Sequence, residues 1–221
     1  MTKQIRLADG GLRIILPGTW ASIPLSDEES TTAYVKRLVK RQVGTADRLA
    51  RMRRSAVEEI VGTAREAVRA GVHTYLTALE ILPNVPFAAV MMLLDIDWPD
   101  TAGPAREGGD TEEALTAAFP GAEIAELRYG PVARRWELAN QQLGEDGSVI
   151  QTLRLEYFVP YPYEGSDKLL MVRVNVPEVP SAEPFAVLFN EIVDSISFPE
   201  ELPEADGAAE PVSEPVATAG G

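Results

Sequence analysis

The stretch Glu123–Val176, EIAELRYGPVARRWELANQQLGEDGSVIQTLRLEYFVPYPYEGSDKLLMVRVNV, decides the fold. It holds four strand candidates: Glu123–Tyr129, Val132–Gln141, Ser148–Val159 and Lys168–Val176. Each is rich in β-branched, aromatic and aliphatic residues and is bounded by turn residues. In the last, Leu170, Val172, Val174 and Val176 alternate on one face, the period of a half-buried strand. Gly144-Glu145-Asp146-Gly147 supplies a tight turn between the middle pair. Strands joined by hairpins make an antiparallel sheet.

Upstream, Thr74–Leu82 and Phe87–Trp98 flank Pro83-Asn84-Val85-Pro86 and read as two further neighbouring strands, although Met91-Met92-Leu93-Leu94 also suits a helix. Leu12–Leu16 and Trp20–Leu25 flank Pro17-Gly18-Thr19 and read as a strand pair. Between these lie two helices. The first starts at Ser26 as N-cap with Asp27, Glu28 and Glu29 over the positive end of its dipole, and continues through Val35, Leu38, Val39 and Gln42. Gly44-Thr45 interrupts it, Thr45 and Asp47 restart a helix, and Leu49, Ala56, Ile60, Ala64 and Ala67 recur at helical spacing before Gly71 ends it. Residues 101–110 read as a Gly- and Pro-rich loop, and Thr111–Phe119 as a short helix capped by Asp110. A closing helix carries Phe185, Leu188, Phe189, Ile192 and Ile196 as its buried stripe, with Ser181 able to cap it. The order predicts an α+β fold, an antiparallel sheet meander covered by N-terminal and C-terminal helices as an α/β/α sandwich. One domain is expected over residues 1–198. Residues 199–221 carry Glu200, Glu201, Glu204, Asp206, Glu210 and Glu214 with no base or aromatic, which predicts a disordered acidic tail.

The entry Leu16-Pro17-Gly18-Thr19-Trp20 with Ile23-Pro24, the strand meander, and the exit Phe189-Asn190-Glu191-Ile192-Val193-Asp194-Ser195-Ile196 resemble the PsbP/LpqN/DcrB superfamily over residues 11–198. The resemblance implies an α-β-α sandwich that binds partners and usually does no chemistry, with no catalytic residues to carry over.

Composition removes several chemistries. The chain has 221 residues, 20 Lys and Arg against 34 Asp and Glu, a net charge of −14, one His and no Cys. Disulfides, thiolate metal sites and a Cys nucleophile are excluded, and a lone His excludes HExxH. The acidic total argues against nucleic acid as partner, because phosphate affinity needs excess Lys and Arg. No Gly-x-Ser-x-Gly, GxGxxG or GxxxxGK[ST] occurs. The N-terminal apolar run Ile14-Ile15-Leu16 is too short for a signal segment, and Val85–Ile96 is too short to span a membrane, so a cytoplasmic location is expected. Sixteen of the twenty bases are Arg, a bias that points to a GC-rich bacterial genome.

Three constellations remain. Asp95 and Asp97 end an apolar strand on one face and together could hold a divalent metal for an enzyme. The companion residues of the phosphatase motif are missing, and Pro99 stands where that motif wants Thr or Val, so a strand leaving the core is the simpler reading. His73 lacks a positioned nucleophile and reads as structural. Tyr157, Tyr161 and Tyr163, interleaved with Pro160 and Pro162, form an aromatic strand end that reads either as rings covering the sheet edge or as a partner or ligand groove. Finally Lys36, Arg37, Lys40, Arg41, Arg48, Arg51, Arg53 and Arg54 stand against one acid, Asp47, a positive patch in a negative chain that reads either as a solvated helix face paired with the chain's own acids or as a docking surface for an acidic partner, a membrane surface or nucleic acid. The expected function is therefore a non-catalytic protein without cofactor that binds an acidic protein partner, as an adaptor, chaperone-like or assembly component. A metal-dependent enzyme through Asp95 and Asp97, and a carrier of a small apolar ligand between sheet and helices, stand as alternatives.

Overall fold

The computed structural model describes residues 2–7, 11–143, 148–179 and 181–199. The expected acidic tail from residue 200 onward and the expected turn Gly144–Gly147 lie outside the described residues. The fold is α+β, built on one large antiparallel sheet.

In chain order, β1 (Thr2–Arg6) and β2 (Arg13–Pro17) pair as a separate two-stranded ribbon, and β3 (Thr19–Ile23) opens the large sheet. The helices α1 (Glu28–Val43) and α2 (Ala50–Arg69) follow as a hairpin, with a 3₁₀ turn, Asp47–Leu49, between them. Next come β4 (Val72–Leu82), the two-residue β5 (Val85–Pro86) and β6 (Val90–Asp97). Two short helices, α3 (Gly103–Glu107) and α4 (Thr111–Ala118), precede β7 (Glu123–Leu127), β8 (Gly130–Leu143), β9 (Ser148–Pro160) and β10 (Lys168–Pro177). The described chain closes with α5 (Glu183–Asp194).

The sheet order is β3-β4-β6-β10-β9-β8-β7, with β5 on β4. Strands β7 to β10 run as the expected meander, and the last of them inserts beside β6, pairing Val172 with Leu93 on one side and with Tyr157 on the other. Period-2 alternation gives the sheet two apolar faces. Leu76, Met91, Leu93, Leu155, Tyr157, Val172 and Val174 point to one layer, made by α5 and the ribbon. Phe189 of α5 is fully buried there between Trp20 and Phe87, at centroid distances of 6.5 Å from each. The opposite face carries α1 and α2 over Ile23, Tyr75 and Met92, and α4 over Phe158, Leu169 and Met171. Phe119, just after α4, stacks on Phe158 at 3.8 Å.

Four local expectations change. Leu12–Leu16 and Trp20–Leu25 do not pair with each other: β2 pairs with β1, and β3 pairs with β4. Gly18 makes this crossing possible. It has φ 75°, and a Cβ at its position would lie 2.0 Å from the Glu80 carbonyl oxygen. The N-cap of α1 is Asp27, whose carboxylate accepts the Ser30 N–H at 2.7 Å, and Ser26 precedes it. The helix α5 has no side-chain cap, its N-cap being Ala182 and not Ser181. Residues 101–110 are not a bare loop, since a 3₁₀ turn, Asp100–Ala102, and α3 occupy much of them. The Asp110 cap on α4 and Gly71 after α2, at φ 80°, are as expected.

Candidate functional site: the basic helical hairpin

The hairpin α1–α2 is anchored at one end and free at the other. At the anchored end Thr31 Oγ1 donates toward the Pro24 carbonyl at 2.6 Å, and Val35, Leu38, Val39, Ala64 and Ala67 are buried over the sheet. From Ala50 to Thr63 no residue of α2 is fully buried. That half is held chiefly by α1, through partly buried Ala56, Val57, Ile60 and Val61.

The eight bases of the expected patch span the turn of the hairpin: Lys36, Arg37, Lys40 and Arg41 on α1, Arg48 in the 3₁₀ turn, and Arg51, Arg53 and Arg54 at the start of α2. Lys36, Arg37, Lys40, Arg41, Arg48, Arg51 and Arg54 are exposed. Arg53 is half-buried and serves the fold directly, because its Nη1 donates to the carbonyls of Gly44 (2.8 Å) and Ala46 (2.9 Å) and so joins the end of α1 to α2. The Arg37 guanidinium lies 6.0 Å from the Tyr34 ring centroid. Among the described residues no ion pair within 4.0 Å reaches any of the eight. The hairpin's ion pair is Arg65 with Glu28, at the anchored end. That carboxyl is held below its ordinary range by the hydrogen bond and charge of Arg65.

Between the helices, on the side away from the sheet, runs a groove of about 790 Å³. Its floor is apolar, made of Val39, Ala50, Val57 and Val61. Lys36, Lys40, Arg53, Arg54 and Arg65 form its rim, with Glu58 the acid among them. Sequence reasoning named Lys36, Lys40, Arg53 and Arg54 of the rim but neither Arg65 nor the floor, because in α2 it followed the stripe Leu49, Ala56, Ile60, Ala64 and Ala67. The signal was present in α2 as a second apolar stripe, Ala50, Val57 and Val61, beside the inward one.

The aromatic strand end divides. Tyr157, expected beside Tyr161 and Tyr163 on a partner surface, is fully buried beneath α5, opposite Arg134 in the strand pair. Arg134 reaches from there to Asn190 of α5 at 2.8 Å. Tyr161 and Tyr163 are half-buried and stack at 6.0 Å, with Phe198 edge-on to both. The Tyr163 hydroxyl donates to the Pro199 carbonyl at 2.6 Å. These rings seal the sheet end against the C-terminal segment, where the chain leaves β9 after Pro160 and bends at Pro162.

Asp95 and Asp97 are likewise occupied from within. The Tyr161 hydroxyl donates to Asp95 Oδ1 at 2.6 Å, and His73 Nε2 stands 3.5 Å from the same oxygen. Partial burial acts to raise the Asp95 pKa, but hydrogen bonds from His73 and Tyr161 outweigh it and hold the carboxyl below its ordinary range. Asp97 pairs with Lys168. Among the described residues no group of three or more His, Cys, Asp or Glu is arranged to hold a metal ion.

A second open depression, of about 570 Å³, lies on the sheet over β8, β9 and β10. There Glu156 takes Arg135 at 2.7 Å and Arg173 at 2.9 Å, and Arg154 pairs with Glu137 at 3.1 Å. Its charges answer one another across the strands, as on a solvated sheet face. The basic hairpin differs in that, among the described residues, its charges have no such answer. In comparisons with known proteins, no protein family and no curated protein matches this chain. No helix among the described residues is long and apolar enough to cross a membrane.

Proposed function

We propose that this protein works without catalysis, as a cytoplasmic adaptor, chaperone-like or assembly component that holds an acidic protein partner against the free half of its α1–α2 hairpin. One observation carries the reading: eight bases gather around the turn of the hairpin, between Lys36 and Arg54, and among the described residues none has an acidic partner within 4.0 Å, in a chain of net charge −14. An exposed cationic patch attracts an acidic surface at short range, within the Debye length of ~8 Å at physiological salt. Beyond that range the net negative chain repels other acidic proteins, so contact is selective for partners that fit the hairpin closely. The PsbP/LpqN/DcrB resemblance supports the same class of function, since members of that superfamily bind partners and usually do no chemistry.

The test is affinity capture from native cell extract, comparing the wild type with Lys36→Glu/Lys40→Glu/Arg54→Glu. These three positions are exposed, and among the described residues their side chains make no hydrogen bond, unlike that of Arg53. The expected result is a defined acidic protein retained by the wild type, released by rising salt and lost with the triple variant. Retention of the same protein by both forms, insensitive to salt, would sink the proposal.

A further inference from the structure

Resting on that reading, we infer that the α1–α2 groove receives an acidic amphipathic helix of the partner, which lies along its apolar floor as the third helix of a bundle. The geometry of the floor points to a helix. Ala50, Val57 and Val61 follow one another at intervals of seven and four residues, the spacing with which one helix meets another along a shallow seam. Val39 of α1 completes the floor from the other side. From Ala50 to Arg65 the seam extends about 22 Å at 1.5 Å per residue, room for about four turns of a docked helix. Gly62 opens the furrow where a side chain would narrow it: a Cβ there would meet nothing within 4 Å.

Charge selects the kind of helix. With Lys36, Lys40 and Arg54 along the rim and Glu58 as the opposing acid, the flanks of the docked helix must carry Glu or Asp. A second copy of this chain does not meet that need through the same surface, because its own hairpin is basic there. The chain's own acids beyond residue 199 do not meet it either, because Pro203, Pro211 and Pro215 stand among them and proline does not suit the interior of a docked helix. The occupant is therefore a helix of another protein, with small or aliphatic residues on one face and acids on both sides of it.

The probe is a synthetic, end-capped peptide of about five helical turns, with Leu at three-four spacing and Glu at the flanking positions. Fluorescence anisotropy compares it with a scrambled isomer, a Lys-for-Glu version and polyglutamate. The telling variant is Gly62→Leu, which fills the furrow, leaves every charge in place and improves helix propensity, so the fold survives it. The amphipathic peptide should bind the wild type about tenfold more tightly than its scrambled isomer, and Gly62→Leu should weaken it by about tenfold. The Lys-for-Glu version should not bind, and Lys36→Glu/Lys40→Glu/Arg54→Glu should weaken both the peptide and polyglutamate. Equal binding of the peptide and its scramble, or indifference to Gly62→Leu, overturns the helix while salt-sensitive polyglutamate binding leaves the acidic-partner reading standing. Failure of peptide and polyglutamate alike overturns both. So does preference for vesicles rich in anionic lipid over either probe.

Discussion

Two buried phenols make this protein sensitive to alkali in a window that can be named beforehand. Tyr75 lies under the α1–α2 hairpin and Tyr157 under α5, on opposite faces of the sheet. Burial, reinforced by the Glu59 charge, pushes the Tyr75 hydroxyl from 10.0 to about 12. Burial does the same for Tyr157, also to about 12, against the opposing pull of the Arg134 guanidinium. Both groups are neutral when protonated, and the native state holds the proton more tightly than the unfolded chain. Their contribution is therefore complete below pH 10 and is lost as pH rises from 10 toward 12. A rise of two units corresponds to about 3 kcal/mol for each tyrosine. The loss of about 5–6 kcal/mol from both is comparable with the whole stability of many domains, ~5–15 kcal/mol. Urea denaturation followed by far-ultraviolet ellipticity at stepwise higher pH, alongside tyrosinate absorbance, measures it directly. Tyr157→Phe should remove about half of the alkaline loss. At neutral pH the same change should cost under about 1 kcal/mol, because the buried hydroxyl makes no hydrogen bond of good geometry. If all six tyrosines ionise together near 10 with the ellipticity intact, or if Tyr157→Phe leaves the pH dependence unchanged, the buried placement of these phenols is refuted.

Three other outcomes follow from the packing. Phe189→Ala empties a fully buried site between Trp20 and Phe87 and should cost about 3–5 kcal/mol, lowering the melting temperature by ~8–15 °C. Gly18→Ala places a methyl group against the Glu80 carbonyl at a positive φ and should cost more than about 2 kcal/mol in urea titration, through separation of β3 from β4. Asp95→Asn should cost under about 1 kcal/mol near neutrality, because half of this carboxylate faces solvent. Since its pKa is held low in the folded chain, the stability it supplies fades as pH falls below 3.8, and acid titration of the variant should be flatter there.

What the sequence made legible follows from what hydrophobic patterning can encode. Leu170, Val172, Val174 and Val176 announce a strand and its buried face, and the structure places them so, but alternation carries no information about which strand lies alongside. The neighbour of β10 is β6, about 80 residues earlier, and only tertiary packing selects it. At Pro17-Gly18 the turn chemistry is the same whether the chain doubles back on itself or steps from a ribbon to a sheet, so the pairing of β2 was not readable. Tyr157, Tyr161 and Tyr163 share a face by period, and their different burial depends on where α5 ends above them. The basic patch was readable because charge in a sequence remains charge on a surface. The groove floor was not, because Ala50, Val57 and Val61 look alike in sequence whether the surface above them is covered by the fold or left open.

The position of β10 has a consequence for how the chain comes to be folded. Synthesis delivers β3, β4 and β6 first, then β7, β8 and β9, and the strand that joins these two groups emerges after both. At ~5–20 residues per second, the edge of β6, with Met91 and Leu93 beside it, waits on the order of 4–16 seconds for its partner. Until then the nascent chain has two unfinished half-sheets, each with an open inner edge of the kind that invites pairing with other chains. Only after α5 is made can Ser197 exchange backbone hydrogen bonds with Arg13, at 2.8 and 3.0 Å, and lock the first ribbon to the last segment. A ribosome that stalls before Lys168 therefore leaves two sticky fragments of a sheet, and not a smaller version of the protein.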